Sequence, residues 1–355
     1  MQLTLKNSVI ALNPSILDGT AQSAVEDLLR EGESANTLAS YRSALRYWAA
    51  WHEMRFGCQI HLPVPVSSLL QFIVDHAERI TEKGLASELP QAIDIALVKG
   101  GFKGKPGPLA HNTLVHRMAV MSKAHQIKNM ANPCQDAKVR ELLSRTRKAY
   151  AKRGVQPNKK DALTKDPLQL MLASCDDSLR GRRDRALLLF AWSSGGRRRS
   201  EIANADLKFL KRVSTGFIYT LVHSKTNQAG RDRPENDKPL LGSAAIAMAD
   251  WLAASGISEG AIFRQVKKGG QLGPALAAAA VRDIVKYRSS LCGVQGNFSA
   301  HSLRSGFVTE AGRQNMPLAE TMAMTGHQSV STVLGYTRAG AALSSQVARL
   351  FDEEP

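Results

Sequence analysis

"GHQSVSTVLGYTR" occupies Gly326–Arg338, close to the end of a 355-residue chain. A glycine opens it, His327 follows, and Tyr336 comes directly after a second glycine, Gly335. Ser329 can cap a short helix that turns Val330, Val333 and Leu334 inward. Gly335 loosens the backbone beside the tyrosine. Taken alone, the stretch allows two readings of Tyr336: a half-buried aromatic, or a phenol placed to react. What lies upstream decides between them.

"GGRRRSEIANADL" at 195–207 ends an apolar helix in two glycines and follows them with three arginines. The guanidinium fork suits phosphate oxygens. Arg198 and Glu201 are three apart on one helical face, so Glu201 can hold Arg198 in one rotamer. Cations at a helix start oppose the macrodipole, so this one asks for a compensating anion. "FSAHSLRSGFVTEAG" at 298–312 places His301 and Arg304 on one face, with Ser299 as a cap and Leu303 and Phe307 inward. Lys225 stands at the end of an alternating strand, just before the turn "TNQAG". Each feature has an ordinary alternative: a surface helix start, an ion-pair partner, a solvated turn lysine.

The charge balance is one-sided. Lys and Arg number 47 against 31 Asp and Glu, a net charge of +16. So basic a chain calls for a polyanionic partner, with nucleic acid ahead of an anionic membrane surface. Aromatics are only 6% of the residues, which does not favour a base-stacking platform. The apolar run "ALLLFAW" at 186–192 is too short to span a bilayer. No leader pattern opens the chain, so a cytoplasmic protein is expected. Cys58, Cys134, Cys175 and Cys292 are far apart; they suggest no zinc site and read as small buried hydrophobes.

Residues 1–20 read as a loose arm, 21–151 as a helical domain, 152–166 as a basic linker, and 167–355 as a larger domain. In the first helical stretch Leu38, Tyr41, Leu45 and Trp48 recur at helical spacing behind Ser34 or Asn36. In the larger domain "RGRRDR" at 180–185 reads as a basic turn between helices. "GFIYTLVHSKTNQAGRDRPENDKPL" reads as strand, turn and returning strand, and everything after about 240 as helical. The fold class is therefore mainly α with a small antiparallel β-sheet, in two domains. Basic residues crowd two places: Arg145, Arg147, Lys148, Lys152, Arg153, Lys159 and Lys160, then Arg180, Arg182 and Arg183. Two lobes with such edges could close as a C-shaped clamp on duplex DNA.

In order, the pieces are Arg198, Lys225, His301-x-x-Arg304, His327 and Tyr336. This series resembles the catalytic domain of the tyrosine recombinases, the integrase family that includes lambda integrase, the Xer proteins and Cre. "GGRRRSEI" resembles that family's arginine box, "HSKTNQ" its hairpin lysine segment, and "AHSLRSGFVTEA" its His-x-x-Arg box. "MTGHQSVSTVLGYTR" resembles its end, at Gly326, His327, Ser329, Thr332, Tyr336 and Arg338. The resemblance spans about 160–350. Arg197 and Arg199 depart from it, standing where the family is often apolar. "SANTLASYRSALRYWAAWH" is similar to the start of the helical core-binding (SAM-like) domain of simple Cre- or Xer-like recombinases.

The resemblance implies a site-specific DNA recombinase needing no metal and no cofactor. Tyr336 would attack the scissile phosphate, Arg198 and Arg304 clamp it, and His327 donate to a phosphate oxygen. His301 would take the phenol proton or orient the phosphate, Lys225 protonate the leaving oxygen, and Glu201 support its neighbours. It also implies a monomer in solution and a homotetramer on double-stranded DNA, passing through a Holliday junction. The tail helix "AALSSQVARLF" would dock on a neighbouring protomer or on its own domain. A type IB topoisomerase would share the pocket, and a non-catalytic DNA-binding regulator would share the charge. A metal-independent nuclease would cut without rejoining.

Overall fold

The computed structural model describes residues 34–155, 160–222 and 234–341. The chain divides into two units, Met1–Pro157 and Asn158–Pro355. The arm expected over 1–20 and nearly all of the tail helix lie outside the described residues.

The first unit is built on aromatic packing between its opening helices. Helix α1 (Ala35–Phe56) is capped by Ser34, whose Oγ accepts from the Thr37 amide at 3.2 Å, and ends at Gly57 with φ 72°. Helix α2 (Val66–His76) buries Leu69, Phe72, Ile73 and His76. Trp48 stacks on Phe72 with ring centroids 3.6 Å apart, and Trp51 meets Phe72 edge-on at 4.9 Å. Burying each of these rings contributes about 1.5–3 kcal/mol. Strands β1 (Arg79–Thr81) and β2 (Gly84–Ala86) form a small hairpin. Helices α3 (Gln91–Lys99), α4 (His111–Ile127) and α5 (Ala137–Lys152) add Leu97, Leu114, Met118, Met121 and Val139 to the core.

The second unit is organised around one helix that is buried on nearly every side. Helices α6 (Lys165–Ala173) and α7 (Leu179–Ser193) come first, and every residue from Ala186 to Ala191 is buried. A helix apolar all round must be surrounded. Short helix α8 (Arg199–Ala203) leads to the antiparallel sheet β3 (Leu210–Val213), β4 (Gly216–Thr220) and β5 (Asp237–Leu241). Phe217 and Tyr219 alternate inward on β4. Helix α9 (Ser243–Ser255) packs on α7. The hairpin β6 (Arg264–Val266) and β7 (Leu272–Ala275) follows, then α10 (Ala278–Leu291) and α11 (Ala300–Arg313). Helices α12 (Leu318–Thr325) and α13 (Val330–Ala341) come next, with α13 lying along α11. Residues 161–163 are docked on α11: the Leu163 amide donates to Ser302 O at 2.9 Å. Only a glycine fits at Gly306, because a Cβ there would sit 1.8 Å from Leu163 O.

Four expectations change. The buried stripe of α1 runs through Ala44, Tyr47, Trp48 and Trp51, leaving Leu45 exposed, because the larger aromatic area wins the core. "RGRRDR" is no turn: it forms the first turns of α7, where Ser178 caps by accepting from the Gly181 amide at 3.1 Å. The region after 240 is not all helix, since β6 and β7 turn back at Gly270 with φ 79°. Cys58 is exposed, Cys134 and Cys292 are half-buried, and Cys175 alone is buried.

Candidate active site

The turn after α7 docks the first arginine box onto two later segments at once. Gly195 and Gly196 take φ of 93° and 70°, in the left-handed region that favours glycine. A Cβ on Gly195 would lie 2.2 Å from Met324 O, and one on Gly196 would lie 2.3 Å from the Arg304 Cα. The two glycines thus let the turn touch the backbones of α12 and α11. The Arg197 amide closes α7 by donating to Ala191 O at 2.7 Å.

The adjacent arginines have opposite fates. Arg197 points inward and is 1% exposed; its Nη2 donates to Met324 O at 2.7 Å. Burial pulls its pKa down to about 10, against the attraction of Glu201. Arg198 is the N-cap of α8 and stays partly open, with Nη1 donating to Glu201 Oε1 at 2.7 Å. Glu201 Oε2 accepts from the Arg198 amide at 3.0 Å. One buried carboxylate therefore closes the helix start and holds the side chain beside it.

Helix α11 brings the second pair. Its cap residue Ser299 donates its amide to Ser302 Oγ at 2.9 Å. Arg304 is buried, and its Nη1 donates to Gly196 O at 3.2 Å. Its Nη2 is also buried and has no hydrogen-bond partner among the described residues. Burial, then Arg198 and Arg197, bring the Arg304 pKa down to about 10. His301, one turn earlier, is exposed at its edge. Partial desolvation, then Arg304 and Arg198, hold its pKa below the usual imidazole value.

Helix α12 ends at Gly326 with φ 66°, and His327 follows it. His327 Nδ1 lies 2.7 Å from Thr325 Oγ1. Burial, then the charges of Arg304, Arg198 and Arg197, push the His327 pKa down to about 4, so the ring is neutral at pH 7. Helix α13 carries Tyr336, half-buried, with its hydroxyl 3.5 Å from His301 Nε2. Arg198, His301, Arg304, His327 and Tyr336 thus come together from four separate stretches of chain. The group unites a phenol, two guanidinium forks and two neutral imidazoles, a set suited to attack on a phosphodiester.

One member was not anticipated. Lys238 on β5 is 2% exposed and lines a cavity of about 330 Å³ together with Arg197, Arg198, Met322 and His327. Its signal was present in the sequence: the strand period of two puts Lys238 on the same face as buried Leu240.

Lys225 and Lys159 lie outside the described residues. Of the residues read as DNA contacts, Arg145, Lys148 and Lys152 are exposed on α5. Arg145 pairs with Glu141 at 2.7 Å. Arg153 is half-buried, donating to Glu78 O at 3.0 Å. Lys160 donates to Asn297 Oδ1. Arg180 is exposed, and Arg182 pairs with Asp250 at 2.6 Å. Arg183 is a correction: it is buried, with Nη2 donating to Asp184 Oδ1 at 2.6 Å and Nη1 to Arg264 O at 3.3 Å. Arg288 closes the other side of Asp184 at 2.7 Å. Helical winding turns this arginine into the core, and its buried charge needs Asp184 as partner.

Residues 161–342, more than half of the chain, match the model of the phage integrase family. The chain is similar to an integrase/recombinase xerD homolog of Selenomonas ruminantium, 27% identical over 323 residues, covering 88% of this chain and 84% of the relative. It is also similar to tyrosine recombinase XerC of Pseudomonas putida, 30% identical over 178 residues, covering 48% of this chain and 52% of the relative. Among solved structures, a lambda integrase dimer bound to a COC' core site aligns with TM-score 0.54 at 14% identity, covering 94% of this chain and 97% of that one. At that identity the likeness concerns the fold alone.

Proposed function

Because this chain belongs to the phage integrase family, we propose that it is a site-specific DNA recombinase acting through a covalent phosphotyrosyl intermediate. The observation that carries the reading is the buried, unpartnered Nη2 of Arg304, a side chain whose charge interacts with Arg198 and Tyr336. A buried guanidinium donor left unpaired is costly, and a phosphate oxygen would satisfy it.

In this reading the Tyr336 oxygen attacks the scissile phosphorus in line. The phosphorus–O5′ bond breaks, and a 3′-phosphotyrosyl bond forms. His301 takes the phenol proton, and Lys225 supplies a proton to the departing 5′-oxygen. Arg198 and Arg304 neutralise the nonbridging oxygens, so no metal is called on to do so. His327 stays neutral and, with Nδ1 facing Thr325 Oγ1, donates from Nε2–H to a phosphate oxygen. Attack by the 5′-hydroxyl of a partner strand reverses the step and joins the new strand, leading to a Holliday junction. Glu201 positions Arg198. The assembly is a homotetramer on two duplex sites, formed from monomers. Residues 21–151 serve as the core-binding domain and 167–355 as the catalytic domain.

The test uses a nicked duplex carrying the site that Tyr336→Phe protein selects from a random pool. Wild type should become attached to a DNA 3′-phosphate, with EDTA present or absent. An adduct formed by Tyr336→Phe would overturn the nucleophile, and loss of the adduct in EDTA would overturn the metal-free step.

A further inference from the structure

Lys238 is a buried cation that the proposed chemistry leaves unused. It sits opposite Tyr219 in the β4–β5 register, two residues before inward-facing Leu240. A methionine would fill a similar volume there without the cost of burying an ammonium. The lysine divides its donors between α12 and the residues just before it in its own segment. Its Nζ donates to Ala323 O at 2.8 Å and to Glu235 O.

Ala323 lies in the last turn of α12, where carbonyls have no partner within the helix. The next carbonyl, Met324 O, is taken by Arg197 Nη2 at 2.7 Å. Two buried cations from two different elements therefore hold consecutive carbonyls at one helix end. The favourable macrodipole at a C-terminus adds to both contacts. Gly326 and His327 follow immediately, and then the helix that carries Tyr336.

From this geometry, and resting on the recombinase reading above, we infer that Lys238 is a positioning residue. It ties β5, the strand that returns from the segment bearing Lys225, to the end of α12, and so fixes His327 against Arg198. Arg197 makes the matching tie from the turn bearing Arg198. The surroundings agree: burial first, then the charge of Arg197, lower the Lys238 pKa to about 8, while Glu235 and Glu201 favour its charged form and Arg304 opposes it.

Two measurements test the tie. In free protein, Lys238→Met should speed amide hydrogen exchange in the last turn of α12 and at Gly326–His327, with the melting temperature and far-UV spectrum little changed. On the nicked duplex, Lys238→Met should form the Tyr336 adduct about 10²-fold more slowly, as expected for a small misplacement of a reacting group, with noncovalent DNA affinity retained. Lys238→Arg, which keeps the charge, should recover part of the rate. A 5′-bridging sulfur, which leaves without a proton, should rescue Lys225→Ala but not Lys238→Met. Unchanged exchange, or an unchanged rate, would overturn the proposal. Rescue by sulfur would also overturn it, by making Lys238 the acid itself. If wild type forms no adduct at all, the recombinase reading fails, and the exchange measurement still decides the tie.

Discussion

The hydroxyl of Tyr336 lies 3.5 Å from Nε2 of His301, at the outer limit of a hydrogen bond and in reach of one on modest closure. A neutral His301 accepts the phenol proton; an imidazolium does not. Its pKa is held below the ordinary imidazole value, so the base is ready at pH 7 and is lost as pH falls through that lowered value. The rate of adduct formation at limiting DNA should therefore show an acid limb below about pH 6.5. His301→Ala should remove that limb and slow the step by about 10²–10⁴-fold. A persistent limb in the variant would assign it to another group.

Glu201 serves Arg198 and Arg197 at once, the first at 2.7 Å and the second at 3.8 Å. Glu201→Gln keeps the shape and removes the charge, leaving Arg197 buried beside carbonyls but without an anion. Urea denaturation should show a loss of about 3 kcal/mol. Adduct formation should slow as well, because Arg198 loses the partner that fixes its rotamer. A variant as stable as wild type would show that the carbonyl contacts alone support Arg197.

The order Arg198, His301-x-x-Arg304, His327, Tyr336 was legible only through the resemblance of the whole series to the tyrosine recombinases, since each box alone had an ordinary alternative. The small sheet was legible at β4, whose alternation is long enough to read. Other features depend on what packs against them. Arg197 and Arg198 are neighbours in sequence, yet only one is buried, and that is decided by the approach of Met324 over a hundred residues later. Arg183 looked like its neighbours in "RGRRDR" until α10 supplied Arg288 on the far side of Asp184. β6 and β7 are too short to show a period of two. Lys238 could have been read from the strand period, but a lysine beside acidic residues looks like surface.

The two basic clusters should respond differently to substitution. Lys148 and Lys152 are exposed on α5. Replacing both with alanine should weaken DNA binding and flatten the salt dependence by about one slope unit for each phosphate that these lysines neutralise. Arg183→Met should leave that slope alone and change the melting temperature instead. Asp184→Asn should cost about 3–5 kcal/mol, since it strands two buried guanidiniums. A salt slope reduced by Arg183→Met would show that this side chain leaves the core when DNA binds.

Two glycines near the site should give opposite results when changed to alanine. Gly196 takes φ 70°, and a Cβ there would sit 2.3 Å from the Arg304 Cα. The left-handed backbone costs about 1–2 kcal/mol in a non-glycine residue, but the clash matters more. The added methyl would meet helix backbone, which has no rotamer to yield, so the turn must lift off α11. Arg198 and Arg304 then separate, and Gly196→Ala should lower the melting temperature and abolish adduct formation together. Gly335 lies within α13, and a Cβ there meets nothing within 4 Å. Gly335→Ala should therefore stabilise the helix by about 0.5–1 kcal/mol. If Tyr336 attacks from the docked helix, adduct formation should hold or rise. If the helix must bend at Gly335 to deliver the phenol, stability should rise while the rate falls, and single-turnover cleavage beside a melting curve distinguishes the two.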